Sequence, residues 1–274
     1  MRLITSIFSF YLNASVHVAL AVMALTSVTL FLLDIPLNYL LLGFTGCSTV
    51  VCYNFIKYGV EAEKYLIVSN RYHRYIQIFS FLCFGVAIYF LAQLDKRIWW
   101  ATGVLGLVST LYAVPLLPKS GNLRSLGGMK IFVVALVWAG FTVILPILDA
   151  QIPYSWDIGV LFVQRFLLVL ILILPFEIRD LKWDSKDLRT LPQILGVQKT
   201  RKLGVGLIII FLLLTFLRDD IDIAEVVSRI IIGIILLGLF RSKLDFGKRY
   251  LASFWVEGIP IFWLGIFWIL NKVI

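Results

Sequence analysis

The sequence predicts an all-α fold: a polytopic membrane bundle of about nine transmembrane helices around a central cavity. Three observations predict it. Of 274 residues, 61% are hydrophobic and only 15% are charged, more apolar surface than a soluble fold can bury. The apolar residues fall into nine stretches, most near the roughly 20 residues that a helix needs to cross a bilayer. The polar loops between them alternate between short ones and longer basic ones, as the connections on the two sides of a membrane do.

The expected spans are 8–33, 36–55, 76–94, 98–117, 130–148, 156–176, 203–217, 224–240 and 250–271. The first begins close to Arg2 and is too long for the apolar core of a cleavable signal. Short connections fall around Asp34, at Asp95–Arg97, between Asp149 and Ser155, and between Arg218 and Ile223. The longer ones are 56–75, 118–130, 177–202 and 241–249. Together with Arg2 that second side carries 19 lysines and arginines, against four on the other. The positive-inside rule then places the N-terminus and the long loops in the cytoplasm and the C-terminus outside. The net charge of +9 is thereby explained by loops facing membrane and cytosol, with no call for nucleic acid. Long loops follow spans 2 and 6 and smaller basic loops follow spans 4 and 8, a spacing that hints at an internal four-helix repeat. The whole chain, 1–274, reads as one integral-membrane domain.

Polar residues inside spans are costly in hydrocarbon and mark helix contacts or function. Cys47, Cys52 and Cys83 lack metal-ligand spacing and read as core residues. His17 reads as a helix-contact residue. Arg165, Arg229 and Glu257 admit two readings, structural ion pairing or contact with a substrate. The connector from Leu111 to Lys130 is rich in Pro and Gly, a turn-forming composition. Its cations Lys119, Arg124 and Lys130 either set topology or clamp an anionic head group such as a diphosphate.

The longest polar interruption is EIRDLKWDSKDLRTLPQILG, Glu177 to Gly196. On a continuous helix at about 100° per residue, Glu177, Asp180, Asp184 and Asp187 share one face. Arg179, Lys182 and Lys186 fall on the opposite face, and no i,i+3 or i,i+4 spacing joins opposite charges. An acidic face without partners calls for an external cation, and a hard divalent ion such as Mg²⁺ suits carboxylates. The structural alternative is a solvated charged loop. Asn54, Lys57, Tyr58, Glu61 and Tyr65 share a second face, at the end of span 2, where an amide and a carboxylate are both oxygen ligands.

These residues carry a resemblance. Asp180-x-x-x-Asp184 followed by Thr190-Leu191-Pro192 and Gly196 resembles the second aspartate-rich motif of the UbiA-type intramembrane prenyltransferases. Asn54 is similar to the start of that family's first motif, and the Tyr112–Pro115 run with Leu123–Lys130 resembles the loop after its fourth helix. The first motif is depleted here: Tyr58 and Ala62 stand where the family has aspartates, and Glu61 and Glu63 are out of register. What the resemblance implies is Mg²⁺-dependent transfer of an isoprenyl group from an isoprenyl diphosphate to a lipid-soluble, commonly aromatic, acceptor within the membrane. Asp180, Asp184 and Asn54 are then the expected catalytic residues. Asp180, Asp184, Glu177, Asn54 and Glu61 are the expected metal ligands. Lys119, Arg124, Lys130, Tyr112 and Tyr58 are the expected substrate contacts. The competing class is a non-catalytic relative of the same fold that binds isoprenoids or serves as a membrane scaffold. A secondary transporter ranks third, since no pair of Gly/Pro-broken spans sits at matching places in the two halves.

Overall fold

A computed structural model describes residues 2–58, 71–113, 127–185, 188–242, 244–248 and 250–273. Its elements are α1 (Arg2–Asn13), α2 (Val16–Leu32), α3 (Tyr39–Tyr58), α4 (Arg71–Gln93), α5 (Lys96–Ala113), α6 (Lys130–Ala139), α7 (Leu145–Ala150), α8 (Trp156–Asp180), α9 (Leu191–Leu195), α10 (Val197–Leu213), α11 (Ile223–Arg241) and α12 (Ile259–Val273). Each of the nine expected spans corresponds to helix. Among the described residues seven helical segments are long and apolar enough to cross a membrane, and α1 with α2 makes an eighth if the bent pair is one span. The protein is an integral membrane protein with no strand among its described residues.

The spans depart from straight helices where the sequence gives a reason. Span 1 is two helices bent by 58°, because Ser15 takes a left-handed conformation at φ 61° and interrupts the hydrogen-bond ladder. Span 5 joins α6 to α7 through a π-helical turn, Gly140–Ile144. Pro146 stands in the first turn of α7, where a missing N–H is tolerated. The last span opens with a second π-helical stretch, Leu251–Val256, launched from Tyr250 at φ 68°. Such wider turns shift side chains around the helix relative to a regular α pattern.

Among the described residues three apolar clusters hold the bundle, two large ones and a small one around Val143, Ile147, Ile158 and Leu161. The largest joins α2, α6, α8, α10, α11 and α12 around Leu25, Leu168, Phe211, Leu236 and Trp263. The second joins α3, α4, α5 and α7 around Phe44, Ala87, Ile98 and Leu145. α2 and the π turn after α6 pack against one another where these two meet. Large apolar side chains on the outside, such as Phe81, Leu82 and Tyr89 on α4, suit a lipid-facing surface.

At the end of the bundle away from the acidic stretch, the intramembrane arginines are built into the packing. Arg165 donates to the Leu25 carbonyl at 2.7 Å and to Thr29 Oγ1 at 3.0 Å, and its guanidinium lies over Trp263. Arg229 pairs with Glu225 at 2.5 Å. The same carboxylate takes Arg218, which also reaches Asp157 at 3.4 Å. Of the two readings for Arg165 and Arg229, the structure supports the structural one.

Close helix contacts depend on glycine at a few positions. A Cβ on Gly204 of α10 would collide with the Phe240 ring of α11, whereas one on Gly206 would meet nothing. We therefore expect Gly204→Leu to destabilise the protein by about 1–3 kcal/mol, the usual cost of overpacking. Gly206→Leu should be neutral or gain up to about 1 kcal/mol from helix propensity. Thermal unfolding of both variants in detergent checks this, and equal melting temperatures would contradict the packing.

Candidate functional site

The site is built at the polar end of α8. Ser155 caps the start of that helix by accepting from the Ile158 amide. Pro175, inside the helix, leaves the Ile171 carbonyl without its usual donor just before the acidic stretch. The α-helix ends at Asp180, but Asp184 N–H still donates to the Asp180 carbonyl at 2.9 Å, one further turn. Glu177, Asp180 and Asp184 therefore share one side, as helical spacing predicts. Beyond Asp184 the single-helix expectation is corrected: the chain turns away into α9. Asp187 and Lys186 lie outside the described residues.

The Thr190-Leu191-Pro192…Gly196 run has a local physical meaning. At the start of α9 the Thr190 amide donates to Gln193 Oε1 at 3.0 Å, Pro192 occupies the first turn, and Gly196 at φ 78° separates α9 from α10. Gln193 also donates to the Ser185 carbonyl at 3.0 Å. A five-residue helix with both ends fixed thus anchors the chain just after Asp184.

The acidic face is not without partners, which corrects the reading from charge spacing. Lys130, the first residue of α6, places Nζ 2.7 Å from Glu177 Oε1 and 3.8 Å from Asp184 Oδ2. Arg179 folds onto its neighbour, with Nε and Nη2 at 2.7 and 3.0 Å from the two Asp180 oxygens. Glu177 and Lys130 are largely buried, with side chains 6% and 14% exposed. Glu177 Oε2 and Asp184 Oδ2 nonetheless remain buried acceptors without a hydrogen-bond donor. Buried carboxylate oxygens left so are a standing demand for a cation or donor.

A divalent ion can be tested against this set. Mg²⁺ binds through one or two carboxylates together with substrate phosphates and waters. Asp180 and Asp184 stand one turn apart, a spacing that suits one such ion, with Arg179 holding both Asp180 oxygens in its place. Among the described residues no three His, Cys, Asp or Glu side chains are grouped to enclose a metal alone. A second ion at Asn54 fits poorly. Its amide nitrogen donates to the Ala14 carbonyl at 3.1 Å and to Ser80 Oγ at 2.9 Å, and its oxygen accepts from Ser15 Oγ at 2.7 Å. Asn54 thus ties α3 to the break between α1 and α2 and to α4.

The remaining expected residues are distributed as follows. Tyr58 donates to the Asn13 carbonyl at 3.1 Å. Tyr112 is half-buried on α5, in electrostatic range of Tyr53. Glu61, Lys119 and Arg124 lie outside the described residues. Between α2, α3, α4, α5 and α6 lies a cavity of about 400 Å³, with Phe44, Tyr53, Phe84, Thr110, Trp138 and Phe141 in its wall. Trp138 Nε1 donates to the Tyr53 hydroxyl at 2.9 Å. Trp138 stands eight residues along from Lys130, about 12 Å at 1.5 Å per residue. The aromatic wall and the carboxylate cluster are therefore linked by one helix.

Charge spacing in the sequence missed a further group. Lys57 at the end of α3 and Arg179 at the end of α8 are within electrostatic reach of one another and of Glu257. Spans 2 and 6 therefore converge at their polar ends. The one available signal was an acidic residue inside the last span.

No family model matches the sequence, and no curated protein matches it. Solved structures do match in fold. A UbiA homologue from Archaeoglobus fulgidus bound to Cd²⁺ superposes with a TM-score of 0.66 at 14% identity, over 96% of this chain and 98% of that one. A UbiA homologue from Archaeoglobus fulgidus bound to GPP and Mg²⁺ gives 0.61 at 12% identity, over 96% and 99%. The structure bound to DMAPP and Mg²⁺ gives 0.50 at 12%, over 97% and 95%.

The Lys130–Glu177 contact yields a prediction. Lys130→Met leaves a buried carboxylate uncompensated and should cost about 3–5 kcal/mol. Adding Glu177→Gln should recover most of that loss. Thermal unfolding of the two single variants and the double variant gives the coupling; strictly additive effects would mean the pair does not form.

Proposed function

We propose that this protein, which has the fold of the UbiA homologues, is a UbiA-type intramembrane prenyltransferase. It moves an isoprenyl group from an isoprenyl diphosphate to a lipid-soluble acceptor. The observation that carries the reading is the Glu177–Asp180–Asp184 cluster, in which Glu177 Oε2 and Asp184 Oδ2 are orphaned buried oxygens, on a bundle whose interior holds an aromatic-walled apolar cavity. That combination suits a ligand with a strongly anionic head and a hydrocarbon tail. GPP and DMAPP, held with Mg²⁺ by the A. fulgidus homologue, are molecules of that class.

In this reading Asp180 and Asp184 hold the ion, and Glu177 with Lys130 fixes their surroundings. Bound Mg²⁺ would supply positive charge at the diphosphate, which makes it a better leaving group. Lys130 and Arg179 set two cations beside the same place, where charge develops as the C–O bond breaks. Lys119 and Arg124 of the connector are further diphosphate contacts in the proposal, and Tyr112 and Tyr58 are substrate contacts. The cavity between α2 and α6 takes the isoprenoid tail. Its aromatic faces stabilise positive charge on the allylic carbon and keep water away. Asn54 acts by positioning α3 against α1, α2 and α4 in place of holding a second ion. The proposed orientation sets the N-terminus and the long basic loops in the cytoplasm and the C-terminus outside.

A binder without transferase activity is the second reading, and the commitment of Asn54 to three internal hydrogen bonds favours it over a two-metal enzyme. One experiment separates the two. Purified protein is incubated with labelled GPP, Mg²⁺ and a membrane lipid extract, and both binding and lipid-soluble product are measured. We expect Asp180→Asn and Asp184→Asn each to weaken Mg²⁺-dependent GPP binding at least about tenfold, since a charge-assisted contact contributes about 1.5–3 kcal/mol. Asp187→Asn should change little. Equal binding by the wild type and all three variants rejects the metal site, and binding without product leaves the binder.

A further inference from the structure

We propose that Glu257 accepts the proton released when a hydroxyl-bearing acceptor is prenylated, which makes it a catalytic base on the last helix. The proposal rests on the transferase reading above and adds a residue and an acceptor class to it.

Glu257 follows directly on the π-helical stretch Leu251–Val256, and its amide donates to the Ala252 carbonyl at 3.1 Å, the wide i to i−5 bond of that geometry. π turns of this kind recur where a helix must aim a side chain off the regular pattern. The stretch is held against α2 by His17, whose Nε2 is 2.9 Å from the Phe254 carbonyl and whose ring stacks on Phe254 at 4.9 Å. Gly258 lies against the same imidazole. Four elements therefore bring titratable groups to Glu257: Tyr11 on α1, His17 on α2, Tyr53 and Lys57 on α3, and Arg179 on α8.

What sets Glu257 apart from the other intramembrane carboxylates is that nothing closes on it. Glu225 is gripped by two arginines and Glu177 by Lys130. Among the described residues no hydrogen bond to the Glu257 side chain forms and no cation comes within ion-pair distance. Lys57 has its Nζ on Ser15 Oγ at 3.1 Å, and Arg179 has turned to Asp180. Glu257 is half-buried, and its carboxylate keeps acceptor capacity with no donor among the described residues. One neighbour, Tyr53, is also part of the cavity wall, so the carboxylate stands at the border between the apolar cavity and the polar mouth. A group there that only accepts hydrogen bonds calls for a ligand that donates one, and a lipid-soluble alcohol or phenol does so.

The step balances without another reactant. The C1–O bond of the isoprenyl diphosphate breaks and its electron pair leaves with the diphosphate. The acceptor forms the new bond to C1 through oxygen or an activated ring carbon. The acceptor's proton passes to the Glu257 carboxylate, which becomes a neutral carboxylic acid until solvent at the mouth removes the proton. Lys57 and Arg179 lie within electrostatic reach of the carboxylate without occupying its oxygens.

The test uses the full-length protein in detergent with labelled GPP, Mg²⁺ and the membrane lipid extract. It measures GPP binding and single-turnover product formation across pH. Glu257→Gln should bind GPP within about twofold of the wild type, while product formation falls about 100-fold or more, the usual contribution of a general base. The wild-type rate should decline on the acid side with unit slope, and Glu257→Gln should lack that limb. Glu257→Asp keeps the carboxylate but withdraws it, and should retain the limb at a reduced rate, which covers the case in which the amide variant does not fold. Turnover by Glu257→Gln within about threefold of the wild type, or an unchanged acid limb, overturns the proposal and makes Glu257 a counter-charge. Full-rate turnover by Glu257→Asp overturns the positional argument. Wild-type protein that binds GPP but forms no product overturns it too while sparing diphosphate binding. Failure of the wild type to bind GPP rejects the transferase reading itself.

Discussion

Lys130 reaches from the first turn of α6 to Glu177 near the end of α8, and the polar end of the bundle is arranged about that contact. A carboxylate 6% exposed at the edge of hydrocarbon is affordable only with a partner. Once Lys130 takes Glu177, its position also sets it 3.8 Å from Asp184, and α6 and α8 are locked in register. Trp138, two turns along α6, then meets Tyr53 on α3 and joins the carboxylate cluster to the cavity wall. One ion pair thus fixes how head-group chemistry and tail space stand relative to one another.

The two ends of the bundle treat charge differently. At one end, Arg165, Arg218, Arg229, Glu225 and Asp157 are joined to each other, to backbone carbonyls and to Trp263, and the groups left without a hydrogen-bond partner are donors, on Arg218 and Arg229. At the other end Glu177 Oε2 and Asp184 Oδ2 are buried acceptors that no described donor satisfies. Groups fully satisfied in a low-dielectric interior rigidify a fold, and groups partly satisfied there are held in a costly state. Both ends carry such groups, and the difference is one of kind: unpaired donors at the first end, unpaired acceptors suited to a cation at the second.

Asn54 and Glu257 show how a residue's position in the sequence differs from its place in the site. Asn54 begins a run that resembles a metal-binding motif, yet its amide is spent on α1, α2 and α4. Glu257 belongs to no motif, yet the chain brings it opposite the ends of α3 and α8.

The sequence by itself determined the helices, the spacing of Glu177, Asp180 and Asp184 on one face, and the capped Thr190–Gly196 turn. Each of these depends on residues within a turn or two of one another: hydropathy over one span, 3.6-residue periodicity, cap chemistry. Even the loss of helix after Asp184 has a local cause, in Thr190 and Pro192 starting a new one. What only the tertiary structure decided is which charges meet. The pairing of Lys130 with Glu177, the bend at Ser15 that receives Asn54, and the convergence of Lys57, Arg179 and Glu257 all join residues tens to hundreds of positions apart. Charge spacing along one helix cannot see a lysine on another. Coulomb attraction depends on distance in space and on the dielectric between the charges, and both are set only when helices pack.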